Sequence, residues 1–170
     1  MEQGVILETE RLLLREFQPG DADALMKVLG DPVTMQYYPA PMDRSEVEVW
    51  IARNRKRYAH DGFGLWAMVL KQSEEVFGDC GCVLQEVEGK KEVEVGYHVR
   101  RDLWGQGYGT EAAKACMEYA FSNFGANRVI SMIRPQNMQS RRVAEKNGMR
   151  CERVTFWRGY EHCVYSKCRA

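Results

Sequence analysis

Gly105, Gly107 and Gly109 alternate with Trp104, Gln106, Tyr108 and Thr110, directly after a strand-like alternation and directly before an amphipathic helix pattern. Backbone without Cβ atoms can approach a ligand closely and aim several N–H groups at it. The helix that follows adds the unbonded N–H groups of its first turn and the positive end of its dipole. Together these describe a cradle for a pyrophosphate. Three nucleotide readings compete for it. A Walker loop requires Gly-Lys-Ser/Thr after the glycines, and none is present. A dinucleotide fingerprint requires GxGxxG in a βαβ unit with an acidic residue about 20 positions on. Here the spacing is GxGxG, and Thr110 stands where the third glycine belongs. Coenzyme A is the third reading, because its pantetheine arm and pyrophosphate can lie along a strand end and across such a loop.

Periodicity predicts the elements that must hold this loop. A first strand is expected over residues 10–16, with Leu12 and Leu14 on one face. Asp21 opens a helix carrying Ala22, Leu25, Met26 and Leu29 that stops near Gly30-Asp31-Pro32. Residues 35–42, aromatic and broken by Pro39 and Pro41, form a loop. A helix over 45–60 follows, capped by Asp43, with Val47, Trp50, Ile51, Asn54 and Tyr58 on its inner face. Strands at 65–71, 76–87 and 92–99 come next, the last two joined by Glu88-Gly89-Lys90-Lys91. Beyond the glycine loop, Ala113, Cys116, Met117, Ala120, Phe121 and Phe124 recur at helical spacing up to Gly125. A strand at 128–133, a helix at 140–147 closed by Gly148, and strands at 151–157 and 161–168 complete the chain. Regular βαβ alternation is absent. The expected fold class is therefore α/β of the mixed α+β kind, one domain over residues 1–170 with helices on both faces of a mixed sheet.

Composition narrows the function. Lys plus Arg and Asp plus Glu each number 24 in 170 residues, so the formal net charge is zero. That balance gives no general attraction to nucleic acid or to an anionic membrane. No apolar run reaches the ~20 residues of a spanning helix. Met1-Glu2-Gln3-Gly4 lacks the basic start and apolar core of a leader, so a cytoplasmic protein is expected. The 6 cysteines and 3 histidines form no CxxC pair and no ligand spacing, so no metal is expected and the cysteines read as free thiols.

Four segments in register carry a resemblance. They are Glu8-Thr9-Glu10-Arg11-Leu12-Leu13-Leu14-Arg15, Glu94-Val95-Gly96-Tyr97, the run from Trp104 to Ala112, and the run from Pro135 through Asn137, Ser140 and Asn147 to Met149. Over most of its length the chain resembles the GNAT superfamily of acyl-CoA-dependent N-acyltransferases, and within it the RimJ/RimL-like branch. The resemblance implies a central mixed, mostly antiparallel sheet, acetyl-CoA as cosubstrate and an amine acceptor. It implies that backbone groups of Tyr97, His98 and Val99 pair with the pantetheine amides. Gln106, Gly107, Gly109 and Thr110 would hold the pyrophosphate, in a loop that includes Trp104 and Tyr108, and Asn137 would reach the pantetheine. The chain departs from the superfamily pattern at Trp104, where Arg or Gln is frequent, and at Ala144, where many members place a Tyr that protonates the thiolate.

Acetyl transfer to an amine requires a route for the amine's proton, N–H donors for the oxyanion, and a proton or dipoles for the leaving thiolate. Glu94 is the expected base, acting directly or through a water, and Glu92 is a weaker candidate. Period 2 places both on one strand face with Gly96 and His98. Ser140 is the candidate to hydrogen-bond the CoA sulfur, as the resemblance implies, with a helix N-cap as its alternative role. His98 is either a proton relay or a packed bystander, and backbone N–H of Tyr97 or Val99 would meet the oxyanion. Arg100, Arg101, Arg141, Arg142 and Lys146 flank the cradle and are candidates for the 3′-phosphate. Tyr37, Tyr38, Trp50, Phe63 and Trp66 are expected on the acceptor side, and Cys116 in the apolar stripe is inert. The expected acceptor is a protein N-terminal α-amine. A small-molecule amine (antibiotic, polyamine or amino acid) is the alternative, and a CoA-binding sensor without turnover is the alternative of another class. A monomer or homodimer would serve either.

Overall fold

The chain opens with a hairpin. The computed structural model describes residues 4–170, so Met1, Glu2 and Gln3, whose composition argued against a leader, lie outside the described residues. Alternation predicts one strand over 10–16, and the structure has two, β1 (Val5–Glu8) and β2 (Leu12–Arg15). Thr9 makes the break: its hydroxyl oxygen accepts the Leu12 N–H at 3.1 Å, a side-chain turn that competes with continued extension. A short 3₁₀ turn leads into α1 (Ala22–Leu29). α2 (Arg44–Asp61) starts at a capping box in which Asp43 accepts the Glu46 N–H at 2.8 Å and Glu46 accepts the Asp43 N–H at 2.9 Å.

β3 (Leu65–Leu70), β4 (Val76–Val87) and β5 (Lys90–Val99) follow. The expected four-residue turn is a two-residue one, because Glu88 and Gly89 both take positive φ (52° and 77°) and let the strands pair to its edge. α3 (Tyr108–Asn123) and β6 (Arg128–Ile133) come next. α4 (Met138–Lys146) begins before Ser140, because Asn137 is its N-cap and accepts the Ser140 N–H at 3.3 Å. β7 (Arg150–Trp157) and β8 (Tyr160–Cys168) close the chain.

The eight strands form one sheet in the order β1-β2-β3-β4-β5-β6-β8-β7. Every neighbouring pair is antiparallel except β5 and β6, which run parallel and share the single register pair Glu94↔Ile130. β3 shows how the sheet is covered on both sides. Trp66 and Met68 join Cys80, Cys82 and Val95 under Ala113, Cys116 and Met117 of α3. Leu65, Ala67 and Val69 point the other way, onto Leu25 and Leu29 of α1 and Val47 and Ile51 of α2. Trp66, 1 % exposed, meets Tyr119 edge-on, and Phe63 stacks on Phe124. Both are core residues of the α3 face, so neither lies on the acceptor side as expected. Burial pushes the Cys116 thiol well above its ordinary value, which leaves it unreactive. Among the described residues no His/Cys/Asp/Glu group could hold a metal, and no helix is long and apolar enough to cross a membrane.

Candidate active site

The glycine loop is built by three fastenings. Trp104 Nε1 donates to the Val99 carbonyl at 2.7 Å, which folds the loop back on the end of β5. Gly105 and Gly107 take φ of 78° and 84°, a left-handed conformation that costs glycine almost nothing. Gly107 is the N-cap of α3 and has no side chain with which to cap. The Glu111 N–H is the first to bond back, to the Gly107 carbonyl at 3.0 Å. The first-turn N–H groups of Tyr108, Gly109 and Thr110 are therefore left for another acceptor.

The third fastening comes from the β1–β2 turn. Glu111 accepts the Thr9 hydroxyl at 2.6 Å, the Arg11 N–H at 3.1 Å and Arg11 Nε at 2.8 Å. Arg11 also donates to the Gln106 carbonyl at 2.9 Å and lies over the Tyr108 ring, 4.2 Å from its centroid. Sequence reasoning quoted Thr9 and Arg11 as part of a motif without giving them work. Their job is to brace the loop, and only the fold shows that residues 100 apart in sequence meet.

A cleft of about 280 Å³ opens in front of this loop. Tyr97, His98, Val99, Trp104, Gly107, Tyr108, Gly109, Thr110, Asn137, Ser140 and Arg142 all line it, together with Thr34, Gln36, Tyr37 and Tyr38. Two expected residues do not line it. Gln106 is absent from the lining, and its carbonyl is held by Arg11. Glu94 lies below the cleft, for reasons given next. Of the cations, Arg142 and Lys146 line the cleft, whereas Arg100 pairs with Asp102, Arg101 with Asp31, and Arg141 with the Tyr165 hydroxyl and the Pro135 carbonyl. Ser140 accepts the Tyr97 hydroxyl on its carbonyl at 3.0 Å. Its own hydroxyl forms no hydrogen bond among the described residues, so it is not spent on capping.

Past Glu94 the two parallel strands separate. β6 turns its next donors away from a ladder: the Ser131 hydroxyl bonds the Val95 carbonyl at 2.7 Å, and the Met132 N–H bonds Glu94 Oε2 at 2.7 Å. Glu94 Oε1 accepts Gln85 Nε2 at 3.0 Å. Burial raises the Glu94 carboxyl above the usual carboxylate range, against the lowering effect of those two bonds. Beside it, on the same face of β5, a polar chain runs inward from the cleft. His98 Nε2 meets the Tyr38 hydroxyl at 2.8 Å and His98 Nδ1 meets Asp79 Oδ1 at 2.7 Å. Asp79 Oδ2 accepts Trp50 Nε1 at 3.0 Å. His98 thus lines the cleft with both ring nitrogens bonded, and Trp50 meets it through Asp79 and through its own ring edge.

A family model described as the acetyltransferase (GNAT) domain matches residues 11–150. The chain belongs to the GNAT family. The uncharacterized protein YkkB of Bacillus subtilis (strain 168) is 37% identical over 144 residues, 84% of either chain. The uncharacterized N-acetyltransferase p20 of Bacillus licheniformis is 28% identical over 157 residues, 91% of this chain and 86% of its own. A GNAT-family acetyltransferase of Bacillus anthracis has the same fold, with a TM-score of 0.81 at 24% identity over 95% of this chain and 97% of that one. RimL, described as a ribosomal L7/L12 α-N-protein acetyltransferase in complex with coenzyme A, gives a TM-score of 0.78 at 16% identity over 96% and 97% of the two chains.

This GNAT protein is an acetyltransferase, and its acyl donor is acetyl-CoA. The residues fit that donor. The uncapped first turn of α3 offers N–H groups to a pyrophosphate, and Arg142 and Lys146 stand beside it for further phosphate charge. The unladdered edge of β5 offers backbone groups to amides.

Proposed function

We propose that this protein, as a single domain, transfers the acetyl group of acetyl-CoA directly to a protein N-terminal α-amine within a ternary complex. The carrying observation is a cleft whose two walls differ in chemistry. One wall is N–H donors, Arg142 and the free Ser140 hydroxyl. The other is the hydroxyl of Tyr38 with the carboxylates of Glu94 and Asp79 behind it. The first suits a phosphorylated thioester and the second a cationic amine.

Each step then has a candidate. The backbone N–H of Tyr97 or Val99 faces the acyl oxygen, and the Ser140 hydroxyl meets the departing sulfur. Ala144 is 3 % exposed, packed in the core, so the superfamily's tyrosine has no counterpart at that position. A hydrogen bond to a charged group contributes about 1.5–3 kcal/mol. Ser140→Ala should accordingly lower kcat by roughly 10- to 100-fold while acetyl-CoA affinity, measured by calorimetry, stays unchanged. Glu94 has both oxygens engaged, so its proposed part is electrostatic: it offsets the charge of the ammonium that enters.

The acceptor is drawn from two observations. RimL is described as acting on an α-amine of a ribosomal protein, and the fold likeness to it supports an acceptor of that class. Arg134 donates to the carbonyl of the cleft residue Tyr37 and covers the Tyr160 ring, with no carboxylate within salt-bridge distance among the described residues. A cation bonded to a lining residue disfavours polycations. The test is CoA release from acetyl-CoA with peptides bearing free N-termini, run beside spermidine and an aminoglycoside. Release with peptides supports the proposal, and release with the polycations overturns the acceptor. Tight acetyl-CoA binding without release to any amine would favour the sensor.

A further inference from the structure

Asp79 is 0 % exposed and lies under a cleft whose acyl donor it never meets. Burying a carboxylate is costly unless donors satisfy it, and here the donors determine how the whole chain is polarised. Trp50 Nε1 can only donate, so Asp79 accepts there. As a carboxylate Asp79 accepts again from His98, which makes Nδ1 the protonated nitrogen of that ring. His98 Nε2 is then an acceptor, and the Tyr38 O–H must point inward to it. The Tyr38 oxygen consequently shows the cleft lone pairs and no proton. It is an acceptor aimed at whatever N–H enters.

The surroundings fit that polarity. Tyr38 as a whole residue is 45 % exposed while its hydroxyl bonds inward to His98, so it bridges solvent and the buried pair. Loss of hydration, then the Glu94 and Asp79 carboxylates, keep its phenol above the ordinary value, so it rests protonated. The groups facing His98 are Asp79 from β4, Tyr38 from the 34–38 loop, the Trp50 ring edge from α2 and Glu94 on β5 itself.

We propose that Tyr38 is a catalytic residue of this enzyme, taking the acceptor amine's proton as it passes its own to His98, with Asp79 as the positioning residue behind. As the amine nitrogen bonds the acyl carbon, its N–H bond breaks, the electron pair stays on nitrogen and the proton joins the Tyr38 oxygen. In the same movement the Tyr38 O–H bond breaks and that proton joins His98 Nε2, against Asp79. When the sulfur departs, the proton returns along the same chain to the thiolate. The amine, whose ammonium releases a first proton to solvent before attack, has then lost a second, the thiol has gained one, and the missing tyrosine at position 144 is not required. The proposal rests on the acetyltransferase reading above.

The test compares wild type with Tyr38→Phe, His98→Gln, Asp79→Asn and Glu94→Gln, using acetyl-CoA and the N-terminal peptides. Tyr38→Phe and His98→Gln should each lower kcat by about 10²–10⁴-fold with acetyl-CoA affinity unchanged. Asp79→Asn, which must turn its amide oxygen to Trp50 Nε1 and its NH2 to His98, should lower kcat with the peptide KM unchanged and reverse the His98 tautomer, whereas Glu94→Gln should keep that tautomer. A second measurement needs no acceptor: ¹⁵N spectra of the imidazole, assigned with His98→Gln, should show the Nδ1–H tautomer. The opposite tautomer, or wild-type kcat in Tyr38→Phe, would overturn the proposal. A wild type that binds acetyl-CoA but acetylates no amine would overturn the underlying reading instead, with the tautomer still deciding how the chain is polarised.

Discussion

Gly107→Val should fold and yet fail to bind acetyl-CoA at concentrations that saturate the wild type. Gly107 holds φ at 84° as the N-cap of α3, and an L-residue there costs about 1–2 kcal/mol. A β-branched side chain is worse placed still. A Cβ at this position would stand 3.4 Å from Arg11 Nη2, whose neighbour Nη1 holds the Gln106 carbonyl, so the valine methyls beyond it press on the brace. Relief comes from turning the loop, and that swings the N–H groups of Tyr108, Gly109 and Thr110 off their common target. Loss of two such bonds to a phosphate, at about 1.5–3 kcal/mol each, lowers affinity at least about 100-fold. Gly105→Ala supplies the control, because a Cβ there meets nothing within 4 Å and only the strain at φ 78° remains. Calorimetry beside circular dichroism reads both. Wild-type affinity in the valine variant would place the pyrophosphate elsewhere.

Glu111→Ala should weaken both fold and donor binding. The substitution strands three donors at once, the Thr9 hydroxyl, the Arg11 N–H and Arg11 Nε, and uncouples the β1–β2 turn from α3. The Arg11 side chain is 40% exposed and that of Glu111 20%, so water recovers part of the loss. A stability loss of about 2 kcal/mol remains, which lowers Tm by roughly 4–8 °C. Acetyl-CoA affinity should drop about tenfold, since Arg11 no longer sits where it grips the loop. The effect has a pH signature. Burial alone would raise the Glu111 carboxyl, but Thr9 and Arg11 together hold it below its ordinary 4.5. A lowered carboxyl stabilises the fold above the unfolded value and loses that contribution as acid titrates it. The gap in Tm between wild type and variant should therefore be full at neutral pH and close below about pH 4. A constant gap would mean that packing, not charge, is what the alanine removes.

Much of this was legible from spacing. Helical periodicity placed α3 because Ala113, Cys116 and Met117 really do face one core, and glycine alternation marked the loop because its left-handed backbone admits little else. Local rules failed where a side chain outcompeted the ladder, as Thr9 does between β1 and β2, and where Asn137 rather than Ser140 caps α4. The acceptor wall was the least readable. Tyr38, Asp79 and His98 belong to a loop and two strands, and none carries a local signal that it will meet the others. Glu94 was recognised by its strand face, but a face says nothing of the Met132 N–H and Gln85 that occupy its oxygens.

The single parallel register pair between β5 and β6 makes the sheet two hydrogen-bonded ribbons, β1 to β5 and β6 to β8, joined at one seam. Beyond the seam, amides of β5 that face β6 lack ladder partners, so in deuterated solvent they exchange through small openings rather than through global unfolding. A pantetheine arm laid in the gap acts as a substitute strand. Acetyl-CoA should slow exchange on both ribbons together, turning two weakly linked melting units into one.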